Sequence, residues 1–317
     1  MTLGLIAIFP LVCMAADPSR QALAWAYPRS DFTIFKPLAS GLYHVPGSSL
    51  SFDDRRLSEL EHPVDWFPND HPAPPSAVAQ SRDKHGEPCA ACHLYSGVGV
   101  PGSVDLAGLK ADYIIAQVHA FREGTRQSWE TDRPNTREMI AITRTLAESD
   151  LADAAAYYAS LPRQSRMHVV EAGKVPATRA DHFGWQDRVA NVPDEAIDGR
   201  IIEIPEDTER LFLGDPYVPI AVYVPIGSIA RGRSLTLSGG STGHPCAECH
   251  GIKLKGSVIA PPLAGRSPSY LARMLWDIKT NARHDPGIAP MAAVTRGLSA
   301  QQIVDLAAYL ASLAMPR

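Results

Sequence analysis

Two short motifs place a pair of cysteines and a histidine in the same order, at 89–93 and at 246–250. They read Cys-Ala-Ala-Cys-His and Cys-Ala-Glu-Cys-His. The two thiols of each motif lie about one helical turn apart, so they can add to the two vinyl groups of one haem, and the imidazole that follows can bind its iron. We therefore predict two covalently attached haem c groups, held by the following residues: Cys89, Cys92 and His93, and Cys246, Cys249 and His250.

Three simpler uses of the thiols fit less well. A thioredoxin-like dithiol needs a preceding strand in a βαβ pattern, which the sequence lacks. A single zinc site would draw all four thiols to one metal, whereas each pair stands near the start of its own repeated segment. A structural disulfide accounts for the thiols of an exported protein, but not for the histidine that follows both pairs.

An iron bound by one histidine has a second axial position, and a methionine thioether there favours the ferrous state. Met291 follows Pro290 in what we expect to be an extended loop ahead of the last helix, which can point the side chain inward. Met139 occupies the matching position in the first copy, without a preceding proline. His119 is the alternative ligand there. Met274 has helical spacing to neighbouring leucines, so we expect it to pack in a core.

The motifs belong to a longer internal repeat. The first cysteine of each motif lies 24 residues before a tyrosine, Tyr113 or Tyr270, and each candidate methionine lies 18 residues before another tyrosine. Only the interval from tyrosine to methionine differs, at 26 residues in the first copy and 21 in the second. This difference predicts a five-residue insertion around 129–134 in otherwise equivalent domains.

The repeat defines the domain organisation. We predict a signal peptide at 1–16, an N-terminal extension at 17–75, a first domain at 76–163, an inter-domain segment at 164–223 and a second domain at 224–317. Closing helices are expected at 151–161 and 303–313. The apolar runs at 200–204 and 218–223 predict short strands that could form a small hairpin. The N-terminal extension at 17–75 has no sustained periodicity, so we expect it to be extended and packed onto the domains.

The N-terminus and the charge balance limit the cellular setting. An apolar run of 14 residues at 3–16 ends in small residues, which is typical of a signal peptide. Export to a periplasm follows, and we expect no membrane span in the mature chain. The net charge of −4 gives no general attraction to nucleic acid.

Together these features resemble the small helical class I cytochromes c, in the tandem di-haem form of bacterial periplasms. The resemblance covers about 180 of 317 residues and includes an expected initial helix at 228–235. It implies a mainly α fold, with two class I-like domains in tandem, an irregular N-terminal extension and an inter-domain segment containing short strands. It also implies that the carbonyl of Pro261 accepts the Nδ1 proton of His250. The first copy has Val104 at that position and lacks a clear initial helix, because prolines precede Ser76.

The function implied is electron transfer, as a shuttle or as the cytochrome subunit of a dehydrogenase or respiratory chain. Partners would be an upstream dehydrogenase and a downstream cytochrome or oxidase. The alternative is a di-haem redox enzyme, peroxidase-like or thiosulfate-oxidising, with one open iron. Cysteine ligation is excluded if Cys13 leaves with the signal peptide, because haem attachment consumes the other four cysteines. A haem-based sensor would require a signalling domain that the sequence lacks.

Overall fold

The computed structural model describes residues 23–28, 38–81, 87–181 and 184–313. The predicted signal peptide lies outside the described residues. Within them the chain is mainly helical, and its strands lie in the N-terminal extension and the inter-domain segment, which confirms the predicted fold class. In these ranges no helix combines the length and the apolar character that crossing a bilayer requires.

The N-terminal extension has little regular structure, as predicted. Among its described residues, 23–28 and 38–75, are a 3-10 turn at Ala24–Ala26, β1 (Leu42–Tyr43), β2 (Phe52–Asp53), which pairs antiparallel with β1, and the single turn α1 (Asp54–Leu57). The Asp53 side chain caps α1 by accepting from the backbone N–H of Arg56 at 2.8 Å. Further along, the indole N–H of Trp66 donates to the carbonyl of Leu213 at 2.6 Å, which attaches the extension to the inter-domain segment.

The described residues of the first repeat, 76–81 and 87–163, form five helices around one apolar core. They are α2 (Ser76–Ala79), α3 (Cys89–His93), α4 (Ala111–Arg122), α5 (Pro134–Thr145) and α6 (Glu148–Ser160). The predicted closing helix is α6, whose Ala155 and Tyr158 are buried against Val78 and Ile114. Because α2 is a single turn, the expected lack of a long initial helix is also observed.

In its described parts, 164–181 and 184–223, the inter-domain segment folds into short strands and one helix. In chain order these are β3 (Met167–Ala172), β4 (Lys174–Val175), β5 (Thr178–Ala180), β6 (Gln186–Arg188), β7 (Glu195–Ala196), β8 (Ile202–Pro205), α7 (Thr208–Phe212) and β9 (Ile220–Pro225). The two predicted strands are β8 and β9, which pair antiparallel. However, they are not a simple hairpin, since α7 lies between them and the unpredicted β3 pairs parallel with β9.

The second repeat contains α8 (Ser228–Ser238), α9 (Ala247–His250), α10 (Pro268–Lys279), α11 (Ala289–Arg296) and α12 (Ala300–Ser312). The predicted initial and closing helices are α8 and α12, and they cross at Gly232. A Cβ atom there would overlap the carbonyl oxygen of Asp305. Arg231 fixes the same crossing by donating to both carboxylate oxygens of Asp305, at 2.8 and 2.9 Å.

Candidate haem sites

The first repeat contains a cavity that brings together all four of its predicted site residues. Cys89, Cys92, His93 and Met139 line a space of about 1440 Å³, which includes open solvent at its mouth. Most of the remaining wall within this repeat is apolar and includes Leu106, Leu109, Ile114, Val118, Ile142, Leu151 and Ala154. An apolar cavity with a histidine and a thioether suits a flat, largely apolar cofactor that carries a metal.

His93 is held in an orientation suited to metal binding. It is 8% exposed, and its Nδ1 lies 2.9 Å from the carbonyl oxygen of Val104. A carbonyl only accepts, so Nδ1 carries the proton and Nε2 keeps a free electron pair for iron. Burial lowers the pKa of His93 and so favours the neutral ring that a metal requires. Valine serves as well as proline at 104, because the acceptor is a backbone atom.

The two thiols of the first motif are held in their neutral form. Burial is the largest cause of a rise in the pKa of Cys89 to about 11 and of Cys92 to about 12. A zinc site or a redox-active dithiol requires accessible thiolates, which this environment disfavours. A neutral thioether linkage, by contrast, suits buried apolar surroundings.

Met139 and not His119 faces this cavity. Met139 lies on α5, a helix, although no proline precedes it. His119 lies on α4, is not part of the cavity wall, and places Nε2 2.9 Å from a carboxylate oxygen of Glu148 on the surface. In this structure the alternative ligand instead contacts a surface carboxylate.

The second motif repeats the histidine geometry. His250 is 6% exposed and its Nδ1 lies 2.8 Å from the carbonyl oxygen of Pro261, as the resemblance implied. Cys246 packs against the core of this repeat, and Cys249 is exposed. Met291 does not lie in an extended loop, and that expectation was wrong. It lies half-buried in the first turn of α11, because Pro290 is favourable at the start of a helix.

Residues of the second repeat also line the first cavity. They come from α10 and are Tyr270, Arg273, Met274 and Asp277. The expectation that Met274 packs in a core was wrong. Its sulfur lies 3.5 Å from the guanidinium of Arg126 and 3.6 Å from that of Arg283, at the boundary between the repeats.

These two arginines meet at the boundary between the repeats, and they occupy equivalent positions in them. Arg126 and Arg283 each lie 37 residues after the first cysteine of their motif, and Gln117 and Met274 each lie 28 residues after it. Both arginines donate to the side-chain oxygen of Gln117, at 2.8 and 2.7 Å. An antiparallel backbone bridge joins the two arginines. Sequence reasoning missed this contact, although the equal spacing could have revealed it.

The first cavity therefore suits both the apolar ring and the carboxylates of a haem. A haem has an apolar ring with two carboxylates. The apolar wall and the two thiols suit the ring, and Arg126, Arg133 and Arg273 supply guanidinium groups in the same cavity. Arg126 is 6% exposed, and its Nε has no hydrogen-bond partner within the described residues. A buried donor of this kind would gain most from a carboxylate.

The two motifs with their oriented histidines define a c-type cytochrome, and comparison with known proteins agrees. The sequence model of the family described as Cytochrome c matches residues 241–314. Cytochrome c4 of Pseudomonas aeruginosa is 26% identical over 77% of this chain and 90% of its own length. Cytochrome c-554(548) of Halomonas halodenitrificans is 36% identical over 26% of this chain and 94% of its own length.

A solved structure is similar over a larger part of the chain. It is thiosulfate dehydrogenase (TsdBA) from Marichromatium purpuratum in its "as isolated" form, with a TM-score of 0.50 and 26% identity. The similarity covers 75% of this chain but only 39% of that one. The chain belongs to the cytochrome c family, as an electron-transfer protein with two covalently bound haem c groups.

Proposed function

We propose that the chain carries single electrons between redox proteins of a bacterial periplasm. In this proposal Cys89 and Cys92, and Cys246 and Cys249, form the thioether links. His93 with Met139 would hold one iron, and His250 with Met291 would hold the other. The observation that carries the proposal is the repeated bond from the histidine Nδ1 to a backbone carbonyl, at 2.9 Å in one repeat and 2.8 Å in the other.

Each bound haem supplies a reversible one-electron couple, and the residues of the chain set the conditions for it. Val104 and Pro261 orient the histidines, and methionine ligation raises the reduction potential. The apolar wall of the first cavity would keep water away from a bound apolar ring. Arg126 would hold haem carboxylates by charge-assisted hydrogen bonds. An iron held by both a histidine and a methionine would have no position free for a substrate, which favours electron exchange without bond formation.

The signal-peptide pattern supports a periplasmic location. The partners there would be an upstream dehydrogenase and a downstream cytochrome or oxidase. One observation favours a second candidate function. The similarity to the thiosulfate dehydrogenase structure is consistent with a redox enzyme or with an electron-transfer part of one. An enzyme of this kind requires an iron with an open or displaceable ligand, most simply at Met139.

The spin state of the two irons separates the candidates. We expect intact mass to show two added haems, and the ferric spectrum to be wholly low-spin, because histidine and methionine together give a strong ligand field. A high-spin fraction in the pure holoprotein would contradict a carrier with two closed sites. It would favour the enzyme.

Met291→Ala tests the ligand of the second haem. We expect loss of the weak sulfur-to-iron absorption band of one haem and a lower reduction potential, because the thioether stabilises ferrous iron. Met167→Ala is the matched control, since Met167 lies on β3 of the inter-domain segment and not in the wall of the first cavity, and it should retain the bands of both haems. An unchanged band in Met291→Ala would remove Met291 from the site.

A further inference from the structure

The loop that follows the Cys-Xaa-Xaa-Cys-His motif is open in the second repeat and covered in the first. In the second repeat Ile252, Val258 and Ile259 are 85%, 87% and 74% exposed. Their equivalents in the first repeat include Tyr95 and Pro101, both half-buried. Large apolar side chains with this degree of exposure, close together in one loop, are typical of interaction sites.

The N-terminal extension and the inter-domain segment provide the cover in the first repeat. The hydroxyl of Tyr95 donates to the carbonyl of Pro63 at 3.1 Å, and its ring stacks on His71 with centroids 5.5 Å apart. From the inter-domain segment, the indole N–H of Trp185 donates to the carbonyl of Pro101 at 2.9 Å. The loop is therefore held by both additional segments.

The N-terminal extension and the inter-domain segment also contact each other. Beside the bond from Trp66 to Leu213, the rings of Phe67 and Tyr217 meet edge to face with centroids 4.8 Å apart. The Tyr217 hydroxyl donates to the carboxylate of Asp70. Removing the cover would break all of these contacts together. A protein partner therefore finds this face of the first repeat already occupied.

The open loop has positive charge around its apolar side chains. Lys253 and Lys255 are exposed within it. The exposed Glu248 of the motif helix lies beside His244, with Nδ1 and a carboxylate oxygen 3.1 Å apart. The chain as a whole carries a net charge of −4, so this basic loop is a local feature.

We propose that residues 252–259 form the docking site for a one-electron redox protein whose contact face is apolar and ringed by carboxylates. This inference rests on the proposed function. The reduced partner would lose one electron, and the bound second haem would accept it as a one-electron oxidant. No bond forms or breaks and no proton moves.

A partner of this chemistry fits better than a second copy of the chain. In a symmetric dimer the same patch faces itself, so Lys253 and Lys255 would meet their own copies. Like charges at an interface are unfavourable, whereas carboxylates opposite these lysines would speed association. A small apolar centre with a charged rim is also suited to a transient electron-transfer complex.

The test measures reduction of the two-haem holoprotein by reduced flavodoxin, a small acidic one-electron donor. Lys253→Glu with Lys255→Glu should lower the second-order rate about tenfold at low salt and remove most of its salt dependence. Val258→Ser with Ile259→Ser should lower it about fivefold at every salt concentration, because apolar contact is lost.

Matched controls carry the same changes elsewhere on the surface. Lys110→Glu with Lys174→Glu repeats the charge change, and Leu42→Ser with Val192→Ser repeats the apolar change, all at exposed positions. The docking site would be overturned if the controls slowed the reaction equally, or if loop variants that hold both haems kept the wild-type rate. A dimer that depends on the loop would overturn it as well. A wild-type protein without two reducible haems would instead overturn the proposed function.

Discussion

Replacing Gly232 with alanine should destabilise the second repeat by about 3 kcal/mol, because the added methyl group has no space. Its Cβ would overlap the carbonyl oxygen of Asp305 and come within 2.7 Å of the Cβ atom of Tyr309. Both belong to α12, which is part of the core, so relief requires α8 to move away from its partner. Denaturant unfolding of the holoprotein, followed by circular dichroism and haem absorbance, measures the effect.

Gly287→Ala is the matched control in the same repeat. The nearest atom to a Cβ there is a carboxylate oxygen of Asp285 at 3.8 Å, which is ordinary van der Waals contact. We expect the control to unfold at the wild-type midpoint. If Gly232→Ala does so too, α8 and α12 do not cross as closely as the structure has them.

The chemistry of the sites could be predicted because it is encoded locally. The spacing within each motif identified Cys89, Cys92 and His93 without any knowledge of the fold, and the first cavity brings them together with Met139. The closing helices were also predicted, since their apolar periodicity is a property of a short segment. A short, strongly constrained pattern leaves few structural alternatives.

The errors arose where distant segments decide local structure. The strand β3 was not predicted, because its partner β9 lies about 50 residues further along the chain. The sequence around Pro290 suggested an extended loop, whereas the fold uses this proline to begin a helix. Met274 has the spacing of a core residue, but the side of α10 that carries it faces the first repeat. Helical periodicity shows which side is apolar, not what lies against it.

Because the repeats contact each other, residues of both surround the first haem site. In that cavity Arg126 comes from the first repeat, whereas Arg273 and Asp277 come from α10 of the second. The motif assigns a haem to a domain, but the folded chain builds its surroundings from two domains. Changes in α10 should therefore affect the first haem, although the helix belongs to the repeat that holds the other one.

Asp277→Ala should be the most damaging polar substitution of this kind, with a loss of about 3 kcal/mol. Asp277 is 2% exposed, and one carboxylate oxygen accepts from the hydroxyl of Tyr27 at 2.7 Å and from the backbone N–H of Trp129 at 2.8 Å. It thereby joins the extension, the insertion in the first repeat and α10. Alanine would remove the acceptor of the Trp129 backbone N–H and leave the Tyr27 hydroxyl only its longer bond to the carbonyl of Arg273, at 3.4 Å. Thermal unfolding of the holoprotein measures the loss, and Asp153→Ala, at an exposed position, is the control.

Asp277→Asn separates the hydrogen bonds from the charge. Its amide oxygen can still accept from Tyr27 and Trp129, so we expect a smaller loss than for alanine. Burial is the largest cause of a raised pKa at Asp277. A carboxyl group whose pKa is higher in the folded state binds its proton more tightly there, so folding gains stability as the pH falls through that pKa. Wild-type stability should therefore rise relative to Asp277→Asn as the pH is lowered. A difference that stays constant with pH, or Asn and Ala variants of equal stability, would show that the buried carboxylate does not join these three segments in the way described.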